Sequence, residues 1–176
     1  MNFTELARMR ESCRNYTGEP VPREKLLAIL DAARMSPSAC NSQPWSFVVS
    51  DTPDAARRAA ACVQVDGANK FTDHAPAFLI VLEEPVQLSP RIADKIDSQR
   101  FAQIDLGLIT AHICLAAADL GLGTCIMGIF DEEKTKAYFQ IPAEKRVRLI
   151  LSVGYSADTS PRAKKRKSLE EFVRFA

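Results

Sequence analysis

The sequence predicts a single α+β domain, with helices and strands mixed but no regular βαβ alternation. Three observations carry this. Gln99–Leu120 is a long helical run that is apolar on most sides. Ala77–Leu82 and Val147–Gly154 are apolar runs of strand length. Proline and glycine punctuate the boundaries between them. At 176 residues and 47% apolar content, one domain over residues 1–176 with a substantial core is expected.

Taken in order, Asn2–Glu11 reads as a short helix. Leu26, Leu27, Ile29, Leu30 and Ala33 form the apolar face of a second, with Pro22 at its first turn and Ser36-Pro37 at its end. Trp45–Ser50 reads as a buried strand, and the alanine-rich Pro53–Cys62 as a helix. Ala77–Leu82 is a strand entered through Pro76. Glu84–Ala93, with two prolines, reads as an irregular loop over a site. The long helix 99–120 carries one polar stripe, Asp105, His112 and Asp119, and ends at Gly121. Thr124–Ile129 follows as a strand, Asp131 caps a short helix to Phe139, and Val147–Gly154 is the last strand. Ser156–Lys167 is a polar extended tail, closed by an amphipathic piece, Leu169–Phe175.

Net charge is +1, so no global field favours nucleic acid or a membrane surface. The cations are nevertheless clustered: Arg8, Arg10 and Arg14 near one end, Arg162, Lys164, Lys165, Arg166 and Lys167 near the other. Five scattered cysteines without a C-x-x-C pair argue against a disulfide framework or a zinc site and for a reducing, cytoplasmic setting. No secretory h-region follows the N-terminus, and no apolar run reaches the ~20 residues of a membrane span.

The segment Pro37-Ser38-Ala39-Cys40-Asn41-Ser42-Gln43-Pro44-Trp45 stands out. Two prolines stiffen a loop that bears several amides and hydroxyls, which suits a flat ligand with polar edges. The ordinary alternative is a connector whose polar groups bond their own backbone. Arg10 and Arg14 share a helix face if the first helix extends that far, and with Ser12 they suit a phosphate. A solvated basic surface is the commoner explanation for one such pair. Gly121-Leu122-Gly123-Thr124 lacks the third glycine of a dinucleotide fingerprint and follows a helix rather than a strand. Gly121 is explained as a cap, whereas Gly123 leaves room for close backbone approach to a ligand. His112 has Asp105 and Asp119 seven residues away on either side, about 10 Å along a helix and too far for one metal. No metal site, nucleophile elbow or triad is visible.

Arg10-x-Ser12-x-Arg14, Pro37-Ser38-x-x-Asn41-x-Gln43-Pro44-Trp45, His74-Ala75-Pro76, Gly121-Leu122-Gly123-Thr124, Gly154-Tyr155 and Lys164-x-Arg166-x-x-Leu169-Glu170 occur in a recognisable order. From about Phe3 to Val173 the chain resembles the FMN-dependent nitroreductase family. The resemblance implies a central, mainly antiparallel sheet flanked by helices in an intertwined homodimer, with FMN at the interface. It implies that Arg10, Ser12 and Arg14 hold the phosphate and ribityl chain, and that Lys164 and Arg166 complete the cationic pocket. Pro37, Ser38, Asn41 and Gln43 would line the ring from the partner subunit, with Trp45 anchoring the loop in the core. Gly123 and Thr124 would lie by flavin N5, and Asn69 and Lys70 are the best local matches to further contacts. The long helix would form the dimer core, its polar stripe serving interface hydrogen bonds. Two departures are visible: the segment between Leu82 and Gln99 is short, and Glu11 puts an acid beside the phosphate pocket.

The activity implied is ping-pong transfer of hydride from NADH or NADPH through the flavin to a nitroaromatic, quinone or similar small acceptor, with no catalytic side chain, since the cofactor carries the chemistry. The alternatives are reductive dehalogenation or flavin destruction on the same scaffold, and a flavin-binding or sensing protein without turnover.

Overall fold

A computed structural model describes residues 2–93 and 99–176. Helix α1 (Phe3–Met9) starts at a capping box between Asn2 and Glu5. Helix α2 (Arg23–Ala33) follows Pro22 and buries Leu26, Ile29 and Ala33, leaving Leu27 exposed. Strand β1 (Trp45–Ser50), helix α3 (Pro53–Val63) and strand β2 (Ala77–Glu83) come next, and then a one-turn helix, α4 (Pro90–Ala93), inside the segment expected to be irregular. Residues 94–98, which follow that segment, lie outside the described residues. Helix α5 (Gln99–Asp119), strand β3 (Gly123–Met127), helix α6 (Glu132–Phe139) and strand β4 (Arg146–Gly154) complete the fold. Asp131 caps α6 by accepting from the Lys134 N–H at 2.9 Å. The 169–175 piece forms only a single 3₁₀ turn, Leu169–Glu171.

The four strands form one antiparallel sheet in the order β1-β2-β4-β3. A bulge at Val81/Leu82 adjusts the β2–β4 register. Alternation along β2 divides the core in two. Phe78, Ile80 and Leu82 face α3 and α6; Ala77, Leu79 and Val81 face α2 and α5. Helices on both faces bury every residue of β2, which explains its unbroken apolar run. Strand β1 was expected to be buried but is half-exposed, because it lies at the sheet edge.

No apolar run of membrane-spanning length was expected, yet by length and composition alone α5 is long and apolar enough to cross a membrane. It instead buries Ala102, Leu106, Ile109, Ile113 and Ala117 against α2 and the sheet, as the core helix of the domain. Its end is a Schellman turn: Leu122 N–H bonds Ala117 O and Gly121 N–H bonds Ala118 O, with Gly121 at φ +76°.

Two carboxylates at the end of β2 couple the fold to pH. Burial pushes the Glu83 carboxyl up, but hydrogen bonds from Arg148 and Gln99 outweigh it and hold it below its ordinary value. Lys145 and Ser46 do the same for Glu84. Folded values below unfolded ones mean that this stabilisation is complete above the ordinary carboxylate range, about 4.3, and is lost as pH falls through the depressed values. The urea midpoint should therefore be flat from neutrality to about pH 5 and fall below about pH 4. A midpoint that holds or rises under acid would contradict the assignment.

Candidate functional site

The two ends of the chain run alongside each other. Thr17 N–H bonds Tyr155 O at 3.0 Å, and Ala157 N–H bonds Asn15 O at 2.9 Å. Asn15 Nδ2 donates to Asp158 Oδ1 at 2.8 Å. Farther along, Arg162 Nε donates to Glu11 Oε2 at 3.1 Å, the Arg162 guanidinium donates to Ser12 O, and Lys164 Nζ donates to Arg8 O. The start of the chain is also tied to the sheet: Ser12 bridges Thr124 in parallel fashion, and Cys13 N–H bonds Thr124 O at 2.9 Å.

This pairing builds an open cleft of about 350 Å³ lined by Arg10, Ser12, Arg14, Lys164 and Arg166. These residues came from two clusters over 140 positions apart, and they meet at one place. Arg162, Lys165 and Glu11 join them. Helix α1 stops at Met9, so Arg10 and Arg14 do not share a helix face as the spacing suggested; an irregular turn carries both into the cleft. Among the described residues, Arg10, Arg14, Lys165 and Arg166 form no ion pair, and Glu11 is the only carboxylate in the lining. Partial desolvation and the Arg10 and Arg166 charges lower the Lys164 pKa, opposed by Glu11. A dense, under-neutralised set of guanidiniums and ammoniums suits a doubly charged phosphate ester.

An adjoining hollow of about 190 Å³ shares Arg10 and Glu11 and is walled by Met9, Cys13, Cys114, Ala118 and Leu122. Gly123 and Thr124 lie on its edge. The bare Cα of Gly123 was expected to admit a ligand. It admits Cys13 instead, since a Cβ there would stand 2.6 Å from Cys13 Cβ. Burial raises the pKa of Cys114, in the wall of the hollow, and of Cys125 on β3, keeping both thiols neutral.

The loop 37–43 is strained and braced. Cys40, Asn41 and Gln43 all have positive φ, at 52°, 53° and 48°, an uncommon cost for non-glycine residues that concentrates at functional sites. Gln43 N–H bonds Ser38 Oγ at 2.9 Å, and its amide reaches Asn41 Oδ1 at 3.3 Å. The main brace is one the sequence reading missed. Asp105, 3% exposed, accepts the Ala39 N–H with both oxygens, at 3.2 and 3.1 Å. The polar stripe of α5 is thus not one surface: Asp105 faces this loop, His112 Nδ1 contacts Leu108 O within the helix, and Asp119 is exposed. A lone carboxylate in an apolar stretch was the available signal. Asp105→Ala should destabilise the chain by about 1 kcal/mol and raise amide exchange selectively at Ala39–Gln43; unchanged exchange there would refute the brace. Trp45 and Phe47 pack against the core beneath the loop's exit.

Within one chain the loop does not face the cleft. Its residues line neither the cleft nor the adjoining hollow, and Asp105 beneath the loop is about 20 Å along the α5 axis from Ala118 in the wall of that hollow. Asn69 and Lys70 line neither hollow. Asn69 adopts a left-handed conformation, and its amide is committed to Val63 O at 2.9 Å, closing its own turn.

A four-stranded antiparallel sheet between two helical layers, with a cationic cleft where the chain ends meet, defines an α+β fold whose site suits an anionic ligand. The chain belongs to the nitroreductase family, whose model, described as "Nitroreductase family", matches residues 7–64 and 60–155. The chain is 28% identical to an FMN reductase [NAD(P)H] of Bacillus subtilis, over 92% of this chain and 68% of that one. It is 26% identical to an iodotyrosine deiodinase of Thermotoga neapolitana, over 90% of each. A solved nitroreductase family protein of Clostridium difficile superposes with a TM-score of 0.81 at 28% identity, covering 99% of this chain and 98% of that one.

Proposed function

We propose that this chain is a cytoplasmic, homodimeric FMN oxidoreductase that takes hydride from NADH or NADPH and passes it to a nitroaromatic, quinone or similar acceptor. The observation that carries the reading is the convergence of Arg10, Arg14, Lys164 and Arg166 on one cleft at the edge of the sheet. The donor set fits the phosphate of FMN: guanidiniums for bidentate contact, an ammonium as a point charge, and the Ser12 hydroxyl as a neutral donor. Bound there, the flavin would supply the two-electron chemistry. Gly123 and Thr124 would form the wall that the ring approaches. Pro37, Ser38, Asn41 and Gln43 would complete the ring site from the partner subunit, a role supported by the loop's strain and by its distance from the hollow that adjoins the cleft of its own chain. Exposed apolar residues on α5, Ile104 at 60% and Leu108 at 39%, are in keeping with a partner on that helix. Neighbouring cations in the cleft favour electron-rich, anionic states of whatever is bound.

The test is spectroscopic. The purified protein should be yellow or take up FMN stoichiometrically, bleach anaerobically with NADH or NADPH, and run at twice the 19.4 kDa chain mass. A colourless protein that ignores added FMN sinks the reading. The deiodinase relative supports a second one, reductive dehalogenation on the same scaffold. An anaerobic panel of nitroaromatics, quinones and haloaromatics separates the two, and flavin binding without turnover of any acceptor would indicate a storage or sensing protein.

A further inference from the structure

Among the described residues, Glu11 is the only carboxylate in the lining of the cationic cleft. Beside a phosphate it should repel, and simple Coulomb reasoning predicts that removing it tightens anion binding. The contacts around it say otherwise. Its side chain is 17% exposed, and Oε2 accepts from both the Arg162 Nε at 3.1 Å and the Arg162 backbone N–H at 3.2 Å. Past Asp158, the tail is held to the start of the chain among the described residues by Glu11, by the Arg162 bond to Ser12 O, and by the Lys164 bond to Arg8 O. The tail residues 157–163 are themselves exposed, so no burial fixes their path.

The forces on that tail oppose one another. Lys164 and Arg166 are repelled by Arg10 and Arg14, and the lowered Lys164 pKa expresses part of that repulsion. Among the groups that hold the tail, Glu11 is the one of opposite charge, and it alone offsets this repulsion electrostatically. We propose that Glu11 is a positioning residue: it hooks the tail through Arg162, so that Lys164 and Arg166 are already in the cleft when a phosphate arrives. Two acceptor contacts from a mostly sheltered carboxylate make this more than an isolated surface ion pair, which on its own is worth little. Preassembly removes an ordering cost that binding would otherwise bear. The proposal rests on the FMN reading for the identity of the phosphate, but not for the hook itself.

Glu11→Ala distinguishes the two signs. If Glu11 positions the tail, FMN binds about tenfold more weakly, because the two tail cations lose their place against the phosphate. Unchanged or tighter binding overturns the proposal. Arg162→Glu should weaken FMN to a similar degree, and the exchange Glu11→Arg with Arg162→Glu should recover most of the loss; a double variant no better than the singles also overturns it. Limited trypsin digestion of the full chain without added FMN gives a reading independent of the cofactor. Cleavage after Lys164–Lys167 should accelerate in Glu11→Ala and not in the exchange variant, and equal rates count against the hook. If the wild-type protein binds no FMN, the functional reading fails while the digestion still decides the role of Glu11.

Discussion

Arg14→Ala weakens FMN binding by about 1.5–3 kcal/mol, a rise in Kd of about 10- to 150-fold. Arg14 lines the cleft, is exposed, and has no carboxylate partner among the described residues, so its charge is available to a ligand. Its removal takes away a charge-assisted contact without opening a core cavity. Thermal stability of the FMN-free protein should therefore hardly move, while FMN affinity and its salt dependence both fall. Arg14→Lys should recover part of the affinity, since an ammonium keeps the charge but not the planar fork. Fluorescence titration of FMN at several salt concentrations measures all of this. Affinity and salt slope equal to wild type would remove Arg14 from the site.

Gly154→Ala destabilises the fold by about 1–3 kcal/mol, the range for overpacking a filled core. The strain here is steric, not conformational. A Cβ on Gly154 would stand 2.6 Å from Pro76 Cδ and 2.9 Å from Tyr16 Cδ1. Pro76 leads into β2, and Tyr16 is held by its hydroxyl against Ser152 Oγ at 2.8 Å, so neither can step aside cheaply. For a domain of this length the melting temperature should drop by roughly 2–10 °C. A melting temperature within about 1 °C of wild type would show that the strand end relaxes freely. This contact also brings together His74-Ala75-Pro76 and Gly154-Tyr155, which are far apart in sequence. One supplies the ring, the other the space for it. Gly123 and Cys13 are matched in the same way.

Local elements were readable because local physics sets them. Asp131 caps α6, proline opens α3, and Gly121 closes α5 through bonds spanning five residues or fewer. The unbroken apolar run Ala77–Leu82 announced a strand, and the structure covers it on both faces. The limits have equally specific causes. Strand β1 reads as apolar, yet its exposure depends on which strands lie beside it. Arg10 falls outside α1 because the helix gives way to a turn that pairs Ser12 with Thr124, more than a hundred residues away. Asp105 read as one member of a polar stripe serving interface hydrogen bonds. Its partner, the Ala39 N–H, is 66 positions distant.

The sequence by itself determined the α+β class, nearly every helix and strand, the ordered motifs of the family, and the residue types of an anion site. All of these follow from side-chain periodicity, backbone preferences and short-range hydrogen bonds. Only the tertiary structure decided that the two cationic clusters form one cleft, that Glu11 faces Arg162 within it, and that the 37–43 loop stands about 20 Å along α5 from the hollow adjoining that cleft. Bringing like charges together from opposite ends of a chain is unfavourable locally. The antiparallel course of the chain ends past β3, fixed by backbone bonds between residues 13–17 and 124–157, supplies the stabilisation that no neighbouring residue could.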